Sequence, residues 1–481
     1  MEGQTKRGCA QAALEGLPPN QTAGHKLKDA DGRNAARPGM DAGGDDIEDA
    51  RHQPSGSYCR KRLLHGRTVG RNSVARQANA AKMAISMAAP IRILTAVPIC
   101  DGHDSAINTI NLEFIRHGIE VVYLGYHRYA EDIVRAAIQE DVRAVGISSY
   151  NGGHVEFFVE VVKQLRKRGA DDIAVFGGGG GTITHHDQQV MQKRGVDKIF
   201  FAGTSLTDMV DFVHERYGKA HKHTGRRGAP ADMQLARKLT EIEDRYAGKK
   251  GRRPTSNVQR STSKGGKNKS VGTRVIGFTG PGGAGKTTLI DELVLRLLQR
   301  EAKSRIAILS HDPSVVGAGA LLGDRATMIN SQHDRVFMRS MATRGQAGGL
   351  SPATEDCLQL LAQSGFDYVI IETVGTGQEA MPFQSKLVDQ TVLVMNPDYG
   401  ARLQLQKIVM LDLADIIVVN KSDQDRARTA MSEIGRRVEQ NGREQRVLAT
   451  VAKRHRDAGV DQLCDLLTQP KTKTLKKGKR K

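Results

Sequence analysis

Tryptophan is missing from this 481-residue chain, and aromatic residues amount to only 4% of it. Proteins that hold single-stranded nucleic acid by stacking bases on rings need more, so that mode is disfavoured. Cysteine is scarce too: Cys9, Cys59, Cys100, Cys357 and Cys464 are scattered without paired or metal-ligand spacing. That argues against a disulfide framework or a zinc module and fits a reducing, cytoplasmic setting. No apolar run approaches the ~18 residues of a membrane span. The N-terminus carries early acidic residues and no apolar signal core, so neither a membrane partner nor secretion is expected.

Positive charge is abundant, at a formal net +19. It gathers in Arg60 to Arg76, in Lys219 to Lys269 and after Pro470, where seven of eleven residues are Lys or Arg. Without interleaved aromatics these runs read as solvated tails and linkers rather than as a nucleic-acid footprint. Residues 1–89 are rich in Gly, Ala, Asp, Arg and Gln with almost no periodic apolar positions. They are expected to be a disordered extension. Met83 or Met87 is an equally good biological start. The stretch Arg60 to Lys82, Arg-rich and acid-poor, is a weak transit-peptide signal.

From Ile91 short apolar runs alternate with helical stretches, at Ile91 to Val97, Glu120 to Leu124, Ala144 to Ser148, Ile173 to Phe176 and Lys198 to Phe201. This βα alternation over residues 90–217 predicts an α/β, flavodoxin-like domain with ligands at the carboxyl ends of its strands. Residues 218–273 read as a basic linker with one helix, whose Leu235, Leu239, Ile242 and Tyr246 share a face suited to docking on a neighbouring domain. A second α/β pattern occupies residues 274–468, with strands at Val275 to Thr279, Ile306 to Ser310, Tyr368 to Ile371, Gln390 to Met395 and Ile416 to Val419. Residues 469–481 read as a disordered basic tail.

Three features of the first domain converge. Asp101 and His103 follow the first strand, where an imidazole can ligate a metal while a carboxylate two residues earlier fixes its tautomer. Ser148 and Ser149 follow the third strand and offer hydroxyls. The run Gly177 to Gly181, with Gly178 and Gly179 at its centre, follows the fourth and removes side chains where a bulky ligand meets backbone. An Asp-x-His loop alone carries little weight; at matching strand ends the three together are specific.

In the second domain Gly280-Pro-Gly-Gly-Ala-Gly285-Lys286-Thr287 is a P-loop between a strand and a helix, the context this motif requires. Gly282, Gly283, Ala284 and Gly285 can cradle phosphates. Lys286 is placed for the β- and γ-phosphates and Thr287 for Mg²⁺. Glu372 ends a strand as a Walker B-like acid, and Asp312 and Asp324 offer further carboxylates. Asn420, Lys421, Ser422 and Asp423 form a guanine-recognition motif: the Asp423 carboxylate can accept from N1–H and the 2-amino group, which adenine lacks, so GTP is favoured over ATP. Lys286 and Glu372 are the candidate catalytic residues.

Residues 91–217 resemble the B12-binding domain of methylmalonyl-CoA mutase and its relatives, whose Asp-x-His-x-x-Gly, Ser-x-Leu and Gly-Gly motifs fall on Asp101, His103, Ala106, Ser148, Tyr150 and the glycine run. Ala106 stands where Gly is usual, and Tyr150 where Leu is. The resemblance implies adenosylcobalamin, with His103 replacing the cofactor's own base on cobalt. The second domain resembles the MeaB/ArgK class of G-protein chaperones through its nucleotide motifs, Asp312-Pro-Ser314, Leu322-Gly-Asp-Arg325 and Glu372-Thr-Val-Gly-Thr-Gly-Gln378. The stretch Asn396 to Leu411 is similar to the G domain of the fused isobutyryl-CoA mutases. By this resemblance Thr287, Asp312, Asp324, Glu372 and Thr373 match Mg²⁺ positions. Thr327 stands where an Arg is common.

The implied function is a cobalamin-binding GTPase module of an adenosylcobalamin-dependent acyl-CoA mutase, of isobutyryl-CoA or methylmalonyl-CoA type, with GTP hydrolysis gating cofactor loading. The mutase chemistry needs an enclosing barrel of roughly 250 residues, and none is expected after Leu467. A substrate-binding subunit or domain is therefore the expected partner, and a homo-oligomer the expected assembly. The alternative is a stand-alone GTP-dependent cobalamin chaperone. A nucleic-acid-binding GTPase is the third reading and rests on the basic runs alone.

Overall fold

The computed structural model describes residues 90–103, 105–219, 230–247, 272–315, 318–375, 383, 387–399 and 409–469. The expected N-terminal extension, nearly all of the C-terminal tail, most of the basic linker, Gln378 and positions 400–408 lie outside them.

The first domain runs β1 (Arg92–Ala96), α1 (Ser105–Arg116), β2 (Glu120–Tyr123), α2 (Ala130–Gln139), β3 (Ala144–Ser148), α3 (His154–Lys167), β4 (Ala174–Gly178), α4 (His185–Lys193), β5 (Lys198–Phe200) and α5 (Leu206–Tyr217). Helix α6 (Ala231–Tyr246) follows. The second domain runs β6 (Arg274–Thr279), α7 (Lys286–Arg300), β7 (Ile306–Asp312), β8 (Ala320–Leu322), α8 (Asp324–Thr327), β9 (Val336–Ala342), α9 (Thr354–Ala362) and β10 (Tyr368–Glu372). It ends with β11 (Gln390–Met395), α10 (Val409–Leu413), β12 (Ile416–Val419), α11 (Ala427–Asn441), β13 (Arg446–Ala449) and α12 (Ala458–Thr468).

Both sheets are parallel, ordered β5-β4-β3-β1-β2-β8 and β13-β12-β11-β6-β10-β7-β9. Parallel sheets need cover on both faces, so their strands read as continuous apolar runs; every residue of β1 and of β10 is buried. In the first sheet Leu94 and Val145 pack with Ile133 of α2 and Val161 of α3, while Ile93 and Val121 pack oppositely with Phe114 of α1 and Val213 of α5. In the second, Ile276 and Ile370 meet Leu293 of α7 and Leu463 of α12, while Val275 and Leu309 meet Leu361 of α9.

The fourth strand and the first sheet's edge differ from the sequence expectation, while the linker helix docks on a neighbouring domain as its apolar face implied. The fourth strand runs through Gly178 rather than stopping before the glycines. Helix α6 packs Leu235, Ala236, Leu239 and Ile242 into the second domain's core. The first sheet gains a sixth strand from the second domain: β8 pairs with β2, Val121 opposite Leu321. The two domains are thus joined by backbone pairing.

Candidate functional site

In the first sheet β1 has β2 on one side and β3 on the other. The chain reverses direction across the sheet there, and the crevice beyond the β1 and β3 ends is where such folds take ligands. Asp101 and His103 follow β1, and Ser148, Ser149 and Tyr150 lie at the end of β3. Asp101 is fully buried. Its Oδ1 accepts from the His103 backbone N–H at 3.0 Å and lies 2.9 Å from the ring Nδ1. Its Oδ2 accepts from the backbone N–H groups of Tyr150 and, at 3.2 Å, Asn151. Burial alone would raise the Asp101 pKa, but these hydrogen bonds outweigh it and hold the carboxyl below its ordinary value. An ionised Asp101 keeps the His103 proton on Nδ1, leaving the Nε2 lone pair on a side chain that is 65% exposed.

The Ser149 hydroxyl is buried without a hydrogen-bond partner among the described residues, and Ser148 is half-buried. The glycine run serves packing before any ligand. A Cβ on Gly178 would stand 2.6 Å from the Phe200 carbonyl oxygen, one on Gly179 would strike the Ser149 carbonyl, and one on Gly180 would lie 2.6 Å from the Tyr150 ring. Only Gly181, at φ +97°, faces open space among these three and itself. The Tyr150 ring also sits 5.0 Å from the His103 ring, centroid to centroid. Ala106 is exposed in the first turn of α1.

The nucleotide residues converge at the carboxyl ends of β6 and β10. Gly283 and Gly285 hold φ of +75° and +84°, which suits glycine; a Cβ on Gly285 would stand 2.5 Å from Asn420 Nδ2. Gly282 N–H donates to the Gly375 carbonyl at 2.8 Å. Lys286 Nζ, buried, donates to the carbonyls of Gly280 and Pro281 at 3.2 and 3.4 Å. Burial lowers its pKa against the opposing charges of Glu372 and Asp324. Thr287 Oγ1 donates to Glu372 Oε1 at 2.7 Å, and Glu372 Oε2 is buried without a partner among the described residues. Asp324 accepts from the Ser310 hydroxyl, and Asp312 from the Gly323 N–H at 3.2 Å.

Burial, then mutual repulsion, raises Asp312; burial raises Asp324; and burial with the Asp324 charge pushes Glu372 up to about 8. Hard oxygen donors that resist ionising until a cation arrives suit Mg²⁺. They do not close into a cage: among the described residues no three His, Cys, Asp or Glu side chains are disposed to hold a metal ion. Mg²⁺ taken through one or two protein ligands plus phosphates and waters needs none. The Thr373 hydroxyl donates to Thr279 Oγ1 at 3.1 Å, next to the start of the P-loop. Thr327 is spent on its own helix, donating to the Asp324 carbonyl at 3.0 Å.

The raised Glu372 has a measurable consequence. In the nucleotide-free folded chain it keeps its proton up to about pH 8, whereas an unfolded glutamate loses it near 4.5. Between those values the folded state binds more protons, so this group's contribution makes stability fall as pH rises. Thermal midpoints of wild type should therefore drop relative to Glu372→Gln from about pH 5 to about pH 8. Parallel profiles would show that Glu372 is ionised throughout.

At the base-recognition end, buried Asn420 donates from Nδ2 to the Ala284 carbonyl at 2.9 Å, and its Oδ1 accepts from Thr450 Oγ1 at 3.1 Å and Ala452 N–H at 3.0 Å. Lys421 sits at φ +59°, and Ser422 N–H donates to the Thr450 carbonyl at 3.0 Å. Asp423 pairs with Lys453 at 2.6 Å, a hydrogen bond that lowers its pKa. The loop Thr450 to Lys453 was missed from sequence, as was His311, whose Nδ1–H donates to the Glu372 carbonyl at 2.8 Å and which burial holds neutral, its pKa lowered to about 4.

The family of the methylmalonyl-CoA mutase-associated GTPase MeaB matches residues 235–481. The chain belongs to the MeaB family. A B12-binding domain matches residues 91–210 of this MeaB-family chain. It is 38% identical over 397 residues to the fused isobutyryl-CoA mutase of Cupriavidus metallidurans, covering 78% of this chain and 35% of that protein. The fused isobutyryl-CoA mutase of Geobacillus kaustophilus is 36% identical over 390 residues, covering 78% and 36%. A GTPase of Pyrococcus horikoshii is 42% identical over 165 residues, 33% of this chain and 50% of that one. The chain thus spans about a third of the length of these fused relatives. Its MeaB-type domain is a GTPase using GTP and Mg²⁺, and its first domain binds cobalamin. Among the described residues no helix is long and apolar enough to cross a membrane.

Proposed function

We propose that this chain is the cobalamin-binding GTPase module of an adenosylcobalamin-dependent acyl-CoA mutase, of isobutyryl-CoA or methylmalonyl-CoA type, in which GTP hydrolysis gates cofactor loading. The observation that carries the reading is the buried Asp101 locking His103 by its Nδ1 at the β1/β3 crevice, in one chain with a complete guanine-nucleotide site. His103 Nε2 would hold cobalt, and the orphaned Ser149 hydroxyl is available to the cofactor's tail. Bound adenosylcobalamin would supply a cobalt–carbon bond that breaks homolytically, the radical source of such mutases.

In the second domain the backbone of Gly282 to Gly285 cradles phosphates. Lys286 leaves its P-loop carbonyls for the β- and γ-phosphates, where it offsets the charge that develops as the bond breaks. Thr287 and Glu372, with Asp312 and Asp324, hold Mg²⁺ and its waters. Asp423 reads the guanine edge, and Asn420 ties that motif to the P-loop. The partner on this reading is a substrate-binding mutase domain or subunit, in a homo-oligomeric assembly in the cytoplasm.

His103→Ala tests the cobalamin side. Wild type mixed with adenosylcobalamin should show the absorbance change that accompanies loss of the cofactor's own base from cobalt, and the variant should not. A change that persists in the variant would remove His103 as the ligand.

A further inference from the structure

Helix α8 is a single turn, and its residues face two ways. Asp324 lies in the nucleotide site, accepting from Ser310 and raised by burial beside Asp312. The next two residues are held by the cobalamin domain. The fully buried Arg325 guanidinium donates from Nε to Glu140 Oε1 at 3.0 Å and from Nη2 to Gln139 Oε1 at 3.2 Å, at the end of α2. The Ala326 carbonyl accepts from Arg128 Nη2 at 2.6 Å. The segment leading into α8 is itself strand β8, hydrogen-bonded to β2 of the cobalamin sheet. Ala320 to Asp324 therefore cannot shift without loading the first domain.

Arg128 continues the connection towards the cobalt-ligand loop. Its Nε donates to the Leu124 carbonyl at 2.7 Å, and its backbone N–H donates to the Val97 carbonyl at 3.1 Å. Its neighbour His127 sits at φ +57°, a backbone region that non-glycine residues seldom occupy unless held there. His127 Nδ1–H donates to the Ile99 carbonyl at 3.0 Å, and its ring lies 3.6 Å from where a Cβ on Gly102 would stand. Ile99 and Gly102 bracket Asp101, whose own N–H donates to the Pro98 carbonyl at 3.0 Å. An unbroken series of bonded groups thus runs from Asp324 through Ala326, Arg128, His127 and Ile99 to Asp101 and His103.

We propose that Arg128 is a positioning residue that transmits the occupancy of the Mg²⁺–GTP site to the cobalt-ligand loop. The proposal rests on the function given above and specifies how its two sites communicate. A cation drawn between Thr287, Glu372 and Asp324 turns α8 about its Arg325 anchor. The Ala326 carbonyl moves with that turn, and Arg128, bridging it to Leu124, passes the displacement to the 124–128 loop and so to the backbone around Asp101. Coupling needs a contact that differs between states at each end. Asp324 supplies one, and the exposed His103, hydrogen-bonded to Asp101, supplies the other. Coupling is reciprocal, so the factor by which nucleotide changes cobalamin affinity equals the factor by which cobalamin changes nucleotide affinity.

The test titrates the full chain with adenosylcobalamin, read by absorbance, in Mg²⁺ alone, Mg²⁺–GDP and Mg²⁺ with the β,γ-imido analogue of GTP. Wild type should show cobalamin affinities differing by about fivefold or more between nucleotide states, with the same factor recovered when the imido analogue is titrated with and without cobalamin. Arg128→Ala should bring both ratios to within about twofold of one while each ligand alone binds as to wild type. His127→Ala, which leaves the α8 contact intact, should do likewise. Arg128→Lys, able to reach one carbonyl, should keep part of the ratio. A wild-type ratio retained in both alanine variants overturns the proposal, as does a wild type that binds both ligands with no ratio. A wild type that binds no adenosylcobalamin overturns the underlying function instead.

Discussion

Replacing Lys286 with Ala should lower GTP turnover by about 10²–10³-fold while the affinity for adenosylcobalamin stays within about twofold of wild type. The reason lies in where the ammonium sits. It is buried at the mouth of the P-loop, donating to the Gly280 and Pro281 carbonyls; burial lowers its pKa, and Glu372 and Asp324 offset only part of that. A buried cation placed where charge accumulates on the transferring phosphoryl stabilises the transition state more than the ground state, and little reorganisation is needed there. Alanine removes it and leaves Glu372 and Asp324 facing each other without a nearby positive charge. Lys286 touches nothing in the β1/β3 crevice, so cobalamin binding serves as an internal control of folding. Single-turnover hydrolysis measured beside the absorbance titration decides the matter: turnover unchanged would remove Lys286 from the catalytic set, and both readouts lost together would point to misfolding.

What could be read from sequence, and what could not, divides along range. The P-loop and the Asn420 to Asp423 motif were legible because each is a few consecutive residues beside an apolar strand; the Asp101–His103 pair gained weight only with Ser148, Ser149 and the glycine run at matching strand ends. The strands with continuous apolar runs, such as β3, β11 and β12, were legible to the residue. Strand β9 was missed although wholly buried, because Arg339 and Ser340 interrupt its apolar pattern; both are buried polar groups satisfied by Glu243 and Glu140. Strand β8, three residues long, pairs with β2 about 200 positions earlier in the chain, and no local pattern announces that. The Thr450 to Lys453 loop carries a weak signal, a Lys three residues after a Thr at a strand end. Only its contacts with Asn420 and Asp423 give it meaning. The glycine run was seen but its immediate cause was not: close approach to the Ser149 and Phe200 carbonyls requires glycine before any ligand does.

Glu243→Ala should cost about 3–5 kcal/mol of stability, more than any exposed charge change in this chain. Helix α6 carries Glu243 into a buried cluster drawn from three parts of the molecule. Arg92, Glu120 and Glu140 come from the cobalamin domain, Glu243 from α6, and Arg325, Arg339 and Arg344 from the GTPase domain. Glu243 accepts from Arg92 Nη2 at 2.8 Å and from Arg339 Nη2 at 2.6 Å, with Arg344 3.7 Å away. Burial alone would raise its pKa, but Arg339, Arg92 and Arg344 outweigh that and pull it down to about 2. Its contribution is therefore full above the ordinary glutamate value near 4.5 and is lost as pH falls towards 2. Removing one partner of a buried ion set leaves the others uncompensated, and this accounts for the size of the effect even though such sets add little net stability when complete. The set brings together groups from both domains and from α6, so its ion pairs form in full only when all three are docked. Denaturant unfolding should thus show a single transition for wild type, and for Glu243→Ala a lower midpoint or two separated transitions, one per domain. A single transition at an unchanged midpoint would mean that β8–β2 pairing and the apolar contacts hold the domains together without the charges.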